Sequence, residues 1–245
     1  MKIKINHGRI IGIEDSALNP VLPTSDLSFI EDKDLYKEVR NYIKSDHRNV
    51  EDKLIFSDGV MKESNPRLAV AVDMFFKKHH PEYRLATQLD LEQDLEFTSG
   101  TYNDSGLALR NLTGDNQEQA KYIFEQLKKR GVKEKHFPIW IDLKGLELTS
   151  DLNFNLTDES FYKTAKCLNW ESRTSYSKIN DFGLPKEKDS SSSRQIWTDS
   201  NYALSRAFLS RISNLISVNS YLGYSYVNGR VVVRRCKAPE LSQKM

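Results

Sequence analysis

Between Thr198 and Cys236 the chain draws on thirteen residue types and omits Lys, Glu, Gln, Met and Trp altogether. An apolar, strand-rich segment is naturally poor in Glu, Lys and Gln, because β-branched and aromatic side chains suit a pleated, half-buried surface better. That accounts for only part of the pattern. Arginine recurs at Arg206, Arg211, Arg230, Arg234 and Arg235, so positive charge is accepted while one basic residue type is avoided. All thirteen types present have codons that end in a pyrimidine, and Lys, Glu, Gln, Met and Trp have none; His and Pro, which do have such codons, are absent as well.

A second regularity lies inside this segment. Leu209, Arg211, Ser213, Leu215, Ser217 and Asn219 alternate with Ser210, Ile212, Asn214, Ile216, Val218 and Ser220, two sets that face opposite sides of an extended chain. Tyr221, Tyr224 and Tyr226 follow, and Gly229 breaks into a strand at Arg230 to Val233. Tyrosine mixed with Ser, Asn and Gly is the composition of adaptable recognition surfaces, since the ring adds contact area at little entropic cost and the small polar residues add hydrogen bonds. The plain alternative is a run of ordinary core and surface aromatics.

The preceding chain reads as α+β. Alternation around His7-Gly8 marks a hairpin from Lys2 to Ile13. Leu35, Val39, Tyr42 and Ile43 give an amphipathic helix over Asp32 to Ser45. Asn65-Pro66 starts a second helix with a buried stripe of Leu68, Val72, Phe75 and Phe76, ending at His79-His80-Pro81. Thr87 is a natural N-cap for a third, with Asp90 three residues on. Leu107 to Leu109 reads as a short strand, Asn116 to Arg130 as a helix closed by Gly131, and Phe137 to Leu143 as a strand. Gly183, Pro185 and the run Ser190 to Ser193 make Asp181 to Arg194 a long exposed loop, inserted on the surface of the domain.

With 245 residues, 38% of them hydrophobic, the chain is expected to fold as one domain of mixed structure. A net charge of +2 creates no whole-molecule field that demands nucleic acid, and the tail lacks the lysines of a phosphate-tracking groove. No apolar run approaches the roughly 18 residues that cross a bilayer. Met1 to Ile13 lacks the apolar core of a secretory signal, so no membrane partner and a cytoplasmic location are expected, with display at a cell surface or on a virion left open.

Two parts of the sequence carry a resemblance. Tyr83-Arg84-Leu85-Ala86-Thr87, followed by Asp90, Leu91 and Glu92, looks like the helix-start motif of the C-type-lectin-like fold, also seen in relatives of formylglycine-generating enzymes. The tail, with Leu204-Ser205-Arg206, Leu209, Arg211, Leu215 and Gly229 to Val233, looks like the closing segment of its archaeal and related microbial members. Together they resemble the variable proteins of diversity-generating retroelements, over residues 80 to 236. The resemblance implies an α+β, C-type-lectin-like (formylglycine-generating-enzyme-like) fold with irregular loops. It would form a single domain over 1–245, with the strands and helix of 1–60 open to reading as an extension and 197–236 as the variable, ligand-binding region.

In that family, adenine-directed mutagenesis randomises asparagine-type codons and leaves a third-position pyrimidine, which implies the restricted alphabet. Carried over by position, the candidate ligand contacts are Tyr202, Phe208, Ser210, Ile212, Asn214, Ile216, Val218, Ser220, Tyr221, Tyr224, Tyr226 and Asn228. Leu204, Leu209, Leu215 and Val231 to Val233 become scaffold. The implied partner is a macromolecule, a protein ahead of a glycan, with the three late tyrosines as first anchors. No catalytic residue, cofactor or metal is expected. Oligomerisation stays open, since Ile212, Ile216 and Val218 form an apolar patch if uncovered.

Two other readings compete. A formylglycine-generating type of enzyme wants a reactive cysteine pair, and Cys167 and Cys236 lie far apart in sequence. A calcium-dependent, carbohydrate-binding lectin-like domain would use Trp197-Thr198-Asp199-Ser200-Asn201, which departs from the Trp-Asn-Asp signature. Asp90, Glu92, Asp94 and Glu96 read as a solvated acidic face and not as an acid–base pair. Arg206 and Arg230 read as fasteners of the fold.

Overall fold

The computed structural model describes residues 4–6, 9–11, 26–46, 50, 54–219 and 221–236. In chain order its elements are β1 (Lys4–Asn6), β2 (Arg9–Ile11), β3 (Leu27–Phe29), α1 (Lys33–Asp46), β4 (Ile55–Ser57), β5 (Val60–Lys62), α2 (Pro66–His79) and β6 (Tyr83–Leu85). There follow α3 (Gln88–Gln93), α4 (Leu95–Thr98), β7 (Asn103–Leu109), α5 (Gln117–Lys129), β8 (Ile139–Asp142), β9 (Leu146–Leu148), β10 (Phe154–Leu156) and β11 (Tyr162–Thr164). The last are β12 (Thr174–Ser175), β13 (Gln195–Thr198), β14 (Leu204–Leu209), β15 (Leu215–Asn219) and β16 (Val232–Arg235). The class is α+β.

Seven strands form the main sheet in the order β11-β8-β7-β14-β15-β13-β12, antiparallel except where β13 runs parallel to β15. Strand alternation divides the core in two. Leu107, Leu109, Ile139 and Ile141 join Phe76 of α2 and Phe124 and Leu127 of α5 on one side. Ala108 and Trp140 join Leu91, Tyr176, Ile196, Leu209 and Leu215 on the other. Gly106 has no side chain because the Trp140 indole lies across it, and a Cβ there would overlap the ring.

The strand read as Leu107 to Leu109 begins four residues earlier, at Asn103, and is buried throughout. Its first half is polar, which hydropathy takes for a loop. Burial is met by partners distant in sequence: Asp104 pairs with Arg206 at 2.5 Å, and the Ser105 hydroxyl donates to Gln88 Oε1 at 2.5 Å.

A smaller sheet, β3-β16-β6, places the closing strand between the first of its strands and the helix-start strand. Residues 27–46 are therefore part of the main body and not an appended extension: β3 pairs with β16, and Val39 and Ile43 of α1 lie in the same core as α2. The opening hairpin is present as β1 paired with β2, Ile5 facing Ile10, while Lys2, Ile3 and Ile13 lie outside the described residues.

Asn65 caps α2 by accepting from the Leu68 N–H, and Leu68, Val72, Phe75 and Phe76 are all buried. Thr87 and Asp90 form a capping box. The third helix is two short ones, because Asp94 ends α3 and its side chain caps α4 by accepting from the Phe97 N–H. The acidic face needs correction: Asp90 and Glu92 are buried, and Glu96 is exposed. Arg84 and Arg234 converge on Asp90, and Arg194 grips Glu92 through both oxygens at 2.7 and 2.8 Å. Those arginines come from β6, β16 and the 181–194 loop, so helical periodicity alone gives no sign of them. The loop itself is only partly exposed: Leu184 enters the second core and Gly183 sits against the backbone of Gln88 and Leu89.

Candidate functional site

The alternation from Leu209 to Ser220 does not run along one strand. It crosses a hairpin, closed where the Ser210 N–H donates to the Asn214 carbonyl and the Ser213 N–H to the Ser210 carbonyl, both at 2.8 Å. Ser213 adopts the left-handed conformation, φ +59°, that ends a three-residue hairpin loop. Leu209 pairs with Leu215 and Phe208 with Ile216, so paired residues share parity and each parity keeps its face across the turn. Leu209, Leu215 and Ser217 are buried. Phe208, Ile216 and Val218 face a groove of about 600 Å³. Arg211, expected on the opposite face, also lines the groove, because it lies in the loop where strand parity does not apply.

Seven of the twelve candidates line this groove: Phe208, Ser210, Ile212, Asn214, Ile216, Val218 and Tyr226. Tyr102 stacks on Tyr226 at 4.6 Å, Phe208 lies 5.5 Å from Tyr226, and Tyr224 meets Tyr226 edge-on at 5.4 Å. Two of the seven are also committed to the hairpin. The Asn214 carboxamide oxygen accepts from the Gln195 N–H at 2.8 Å, and the Ser210 hydroxyl accepts from the Asn214 N–H at 3.1 Å.

The remaining candidates scatter around this centre. Tyr202 lies in an adjoining concavity of about 700 Å³ with Trp170, Arg173 and Asp199, and Trp197 and Val218 line both hollows. Tyr221 and Asn228 are exposed outside the groove lining, and Ser220 lies outside the described residues. Among the described residues six large hydrophobics are exposed, and four of them, Ile212, Tyr221, Tyr224 and Val227, fall within fifteen residues of one another. Clustered in this way they form a candidate interaction surface, which a single exposed side chain does not.

Buried arginines hold this surface from behind. Arg206 is fully buried, paired with Asp104, and its guanidinium lies 4.8 Å from the Phe208 ring and 5.1 Å from Tyr226. It also donates to the Tyr224 carbonyl at 2.6 Å, while Arg230 donates to the carbonyls of Val227 and Gly229 and the Tyr102 N–H to that of Asn228. These contacts grip main-chain atoms, so they leave the identities of the side chains at 224, 227 and 228 open. Beneath β14 and β15, Arg110 donates to Ser205, to Ser217 and to the Leu168 carbonyl, and burial pulls its guanidinium down to about 10.

Both cysteines are free thiols, and burial pushes Cys167 up to about 12, so it stays protonated and unreactive at neutral pH. In the Trp197 to Asn201 stretch the Thr198 hydroxyl donates to the Trp170 carbonyl and Asp199 accepts from the Asn201 N–H. Among the described residues no three His, Cys, Asp or Glu side chains converge as a metal set, and no helix is long and apolar enough to cross a membrane.

Ser99, Gly100, Tyr102 and Trp197 complete the groove from outside the restricted segment. Nothing in their local sequence sets the first three apart; they arrive because β7 pairs with β14 and Gly100 donates to the Arg211 carbonyl. No protein-family model, curated protein or solved structure matches this chain.

Proposed function

We propose that the protein is a ligand-binding display protein on a C-type-lectin-like scaffold, of the kind diversified by retroelements, and that it binds a macromolecule, a protein first of all, through the Phe208–Tyr226 groove. One observation carries this reading: positions of one parity in a segment of pyrimidine-ending alphabet converge on a single groove, while Leu209, Leu215 and Ser217 of the other parity are buried behind it. The motifs that carry the family resemblance also meet, since β6 of the helix-start motif pairs with β16 of the closing segment. The exposed Ile212, Tyr221, Tyr224 and Val227 extend the contact surface beyond what a small ligand would cover.

The test is the DNA encoding residues 197–240 together with several kilobases around it. A near-copy in which codons 208, 210, 212, 216, 218, 224 and 226 read AAC or AAT, beside a reverse transcriptase gene, is the expected result. A locus without any such copy would remove diversification from the reading.

A further inference from the structure

The groove is apolar but its charge is one-sided. Arg211 is the single charged side chain among its lining residues, and no carboxylate lines it. Among the described residues the Arg211 guanidinium has neither a hydrogen bond nor an ion pair, whereas Arg84, Arg194, Arg206 and Arg234 are each paired with an acid. Its backbone is nonetheless fixed, with the Arg211 carbonyl accepting from the Gly100 N–H at 3.0 Å in a three-residue loop. A cation without a counter-ion, anchored through its backbone on the rim of an apolar groove, favours negative charge in whatever docks there.

Aromatic grooves also attract cations, through the negative faces of their rings. Here that use is already taken by the protein. The Arg206 guanidinium covers Phe208 and Tyr226, and the Arg173 guanidinium lies 4.7 Å from the Trp197 ring. A cationic guest would meet rings that already face arginine, with Arg211 beside it.

Resting on the display-protein reading above, we infer that the groove takes an acidic segment of a protein: an apolar side chain seats against the half-buried Trp197 and Val218, and a neighbouring carboxylate is held by Arg211. The charge-assisted hydrogen bond gives direction to an otherwise non-directional apolar contact. A small anion alone would leave the exposed Ile212 and Tyr224 unused.

The experiment is an NMR titration of the full chain with three tetrapeptides, acetyl-Glu-Trp-Leu-Glu-amide and its Gln and Lys counterparts, followed through the amides of residues 208–218. The acidic peptide should bind best and the basic one worst, each step by about threefold to fivefold, the scale of a partly exposed charge pair. The preference should shrink as salt is raised. Arg211→Glu should invert the order, and Arg211→Lys should keep it. Equal affinities, or a preference for the basic peptide, would overturn the acidic-partner inference and leave the display reading standing. If no peptide shifts any groove amide, the acidic-partner inference falls, and the display reading is decided by the coding DNA alone.

Discussion

Asp142 sits at the end of β8 with its Oδ1 buried and without a hydrogen-bond partner. Burial, reinforced by the nearby Asp90 charge, pushes its carboxyl up to about 8. Asp90 shows the opposite outcome. Burial pulls it upward, but hydrogen bonds from Arg84, the Thr87 backbone and Arg234 outweigh that and hold it at about 2. The two therefore act on stability in opposite pH ranges. For Asp90 the stabilisation is present above the unfolded carboxylate range and is lost as pH falls toward 2. For Asp142, raised in the folded state, it is present below the unfolded range near 4 and is lost as pH rises toward 8. Asp142→Asn removes that titration while keeping the shape. Urea unfolding at pH 5, 7 and 9 should show wild type losing stability relative to the variant by on the order of 1 kcal/mol per pH unit up to about pH 8, with no further loss above it. A difference that stays constant with pH would mean that Asp142 is ionised in the folded protein.

The β14–β15 hairpin places a serine at a backbone position that suits glycine. At φ +59° the Cβ of Ser213 crowds its own backbone, and its carbonyl already accepts from Arg194 at 3.0 and 2.9 Å, a contact that needs no side chain. Ser213→Gly is expected to raise unfolding free energy by about 0.5 kcal/mol, relief of the strain being partly offset by the freer unfolded chain. Denaturant melts check the sign, and a destabilised variant would show that the Ser213 hydroxyl does more than fill space. The same hairpin shows what a sequence can and cannot disclose. The Leu68–Phe76 stripe and the Thr87–Asp90 cap depend on residues within two turns of each other, and they were readable. The alternation of the tail was readable only in part: Leu209 pairs with Leu215 and Phe208 with Ile216, but Arg211 lines the groove, Asn214 is buried, and a register shift between Arg206 and Phe208 ends the parity match. The turn itself was not, since Ser210 to Ser213 holds no Gly, Asn or Asp to announce it. Nor were the polar start of β7, the burial of Glu92 or the place of Tyr102 in the groove. Each of those is decided by a partner about a hundred residues away, Arg206, Arg194 or β14, and local pattern carries no trace of such a partner.

At the scale of the whole molecule the fold separates what it needs from what it presents. Leu209 and Leu215 fill the core behind the sheet, and Arg206 ties the 221–229 loop to β14 through the Tyr224 carbonyl. Ile212 is 75% exposed, Tyr224 56% and Val227 73%; the carbonyls of the last two accept from Arg206 and Arg230, and the Tyr224 ring meets Tyr226 edge-on. Between these sets lie Phe208 and Ile216, which face the groove yet are largely covered in the free protein by Tyr102, Tyr226 and the hairpin. Stability should follow burial. Ile212→Ser, Tyr224→Ser and Val227→Ser are each expected to change the unfolding free energy by no more than about 0.5 kcal/mol, as surface substitutions generally do. Leu209→Ala and Leu215→Ala should each cost roughly 2–5 kcal/mol, the range for a core leucine that leaves a cavity. Phe208→Ser should cost at least as much as the core leucines, roughly 3–5 kcal/mol, which would make it the position where variation in the proposed binding surface competes most directly with folding. The measurement is urea unfolding of the full-length variants under one condition. If the exposed set costs as much as the core leucines, the surface is structural, and a scaffold built to tolerate changing side chains at those positions is ruled out.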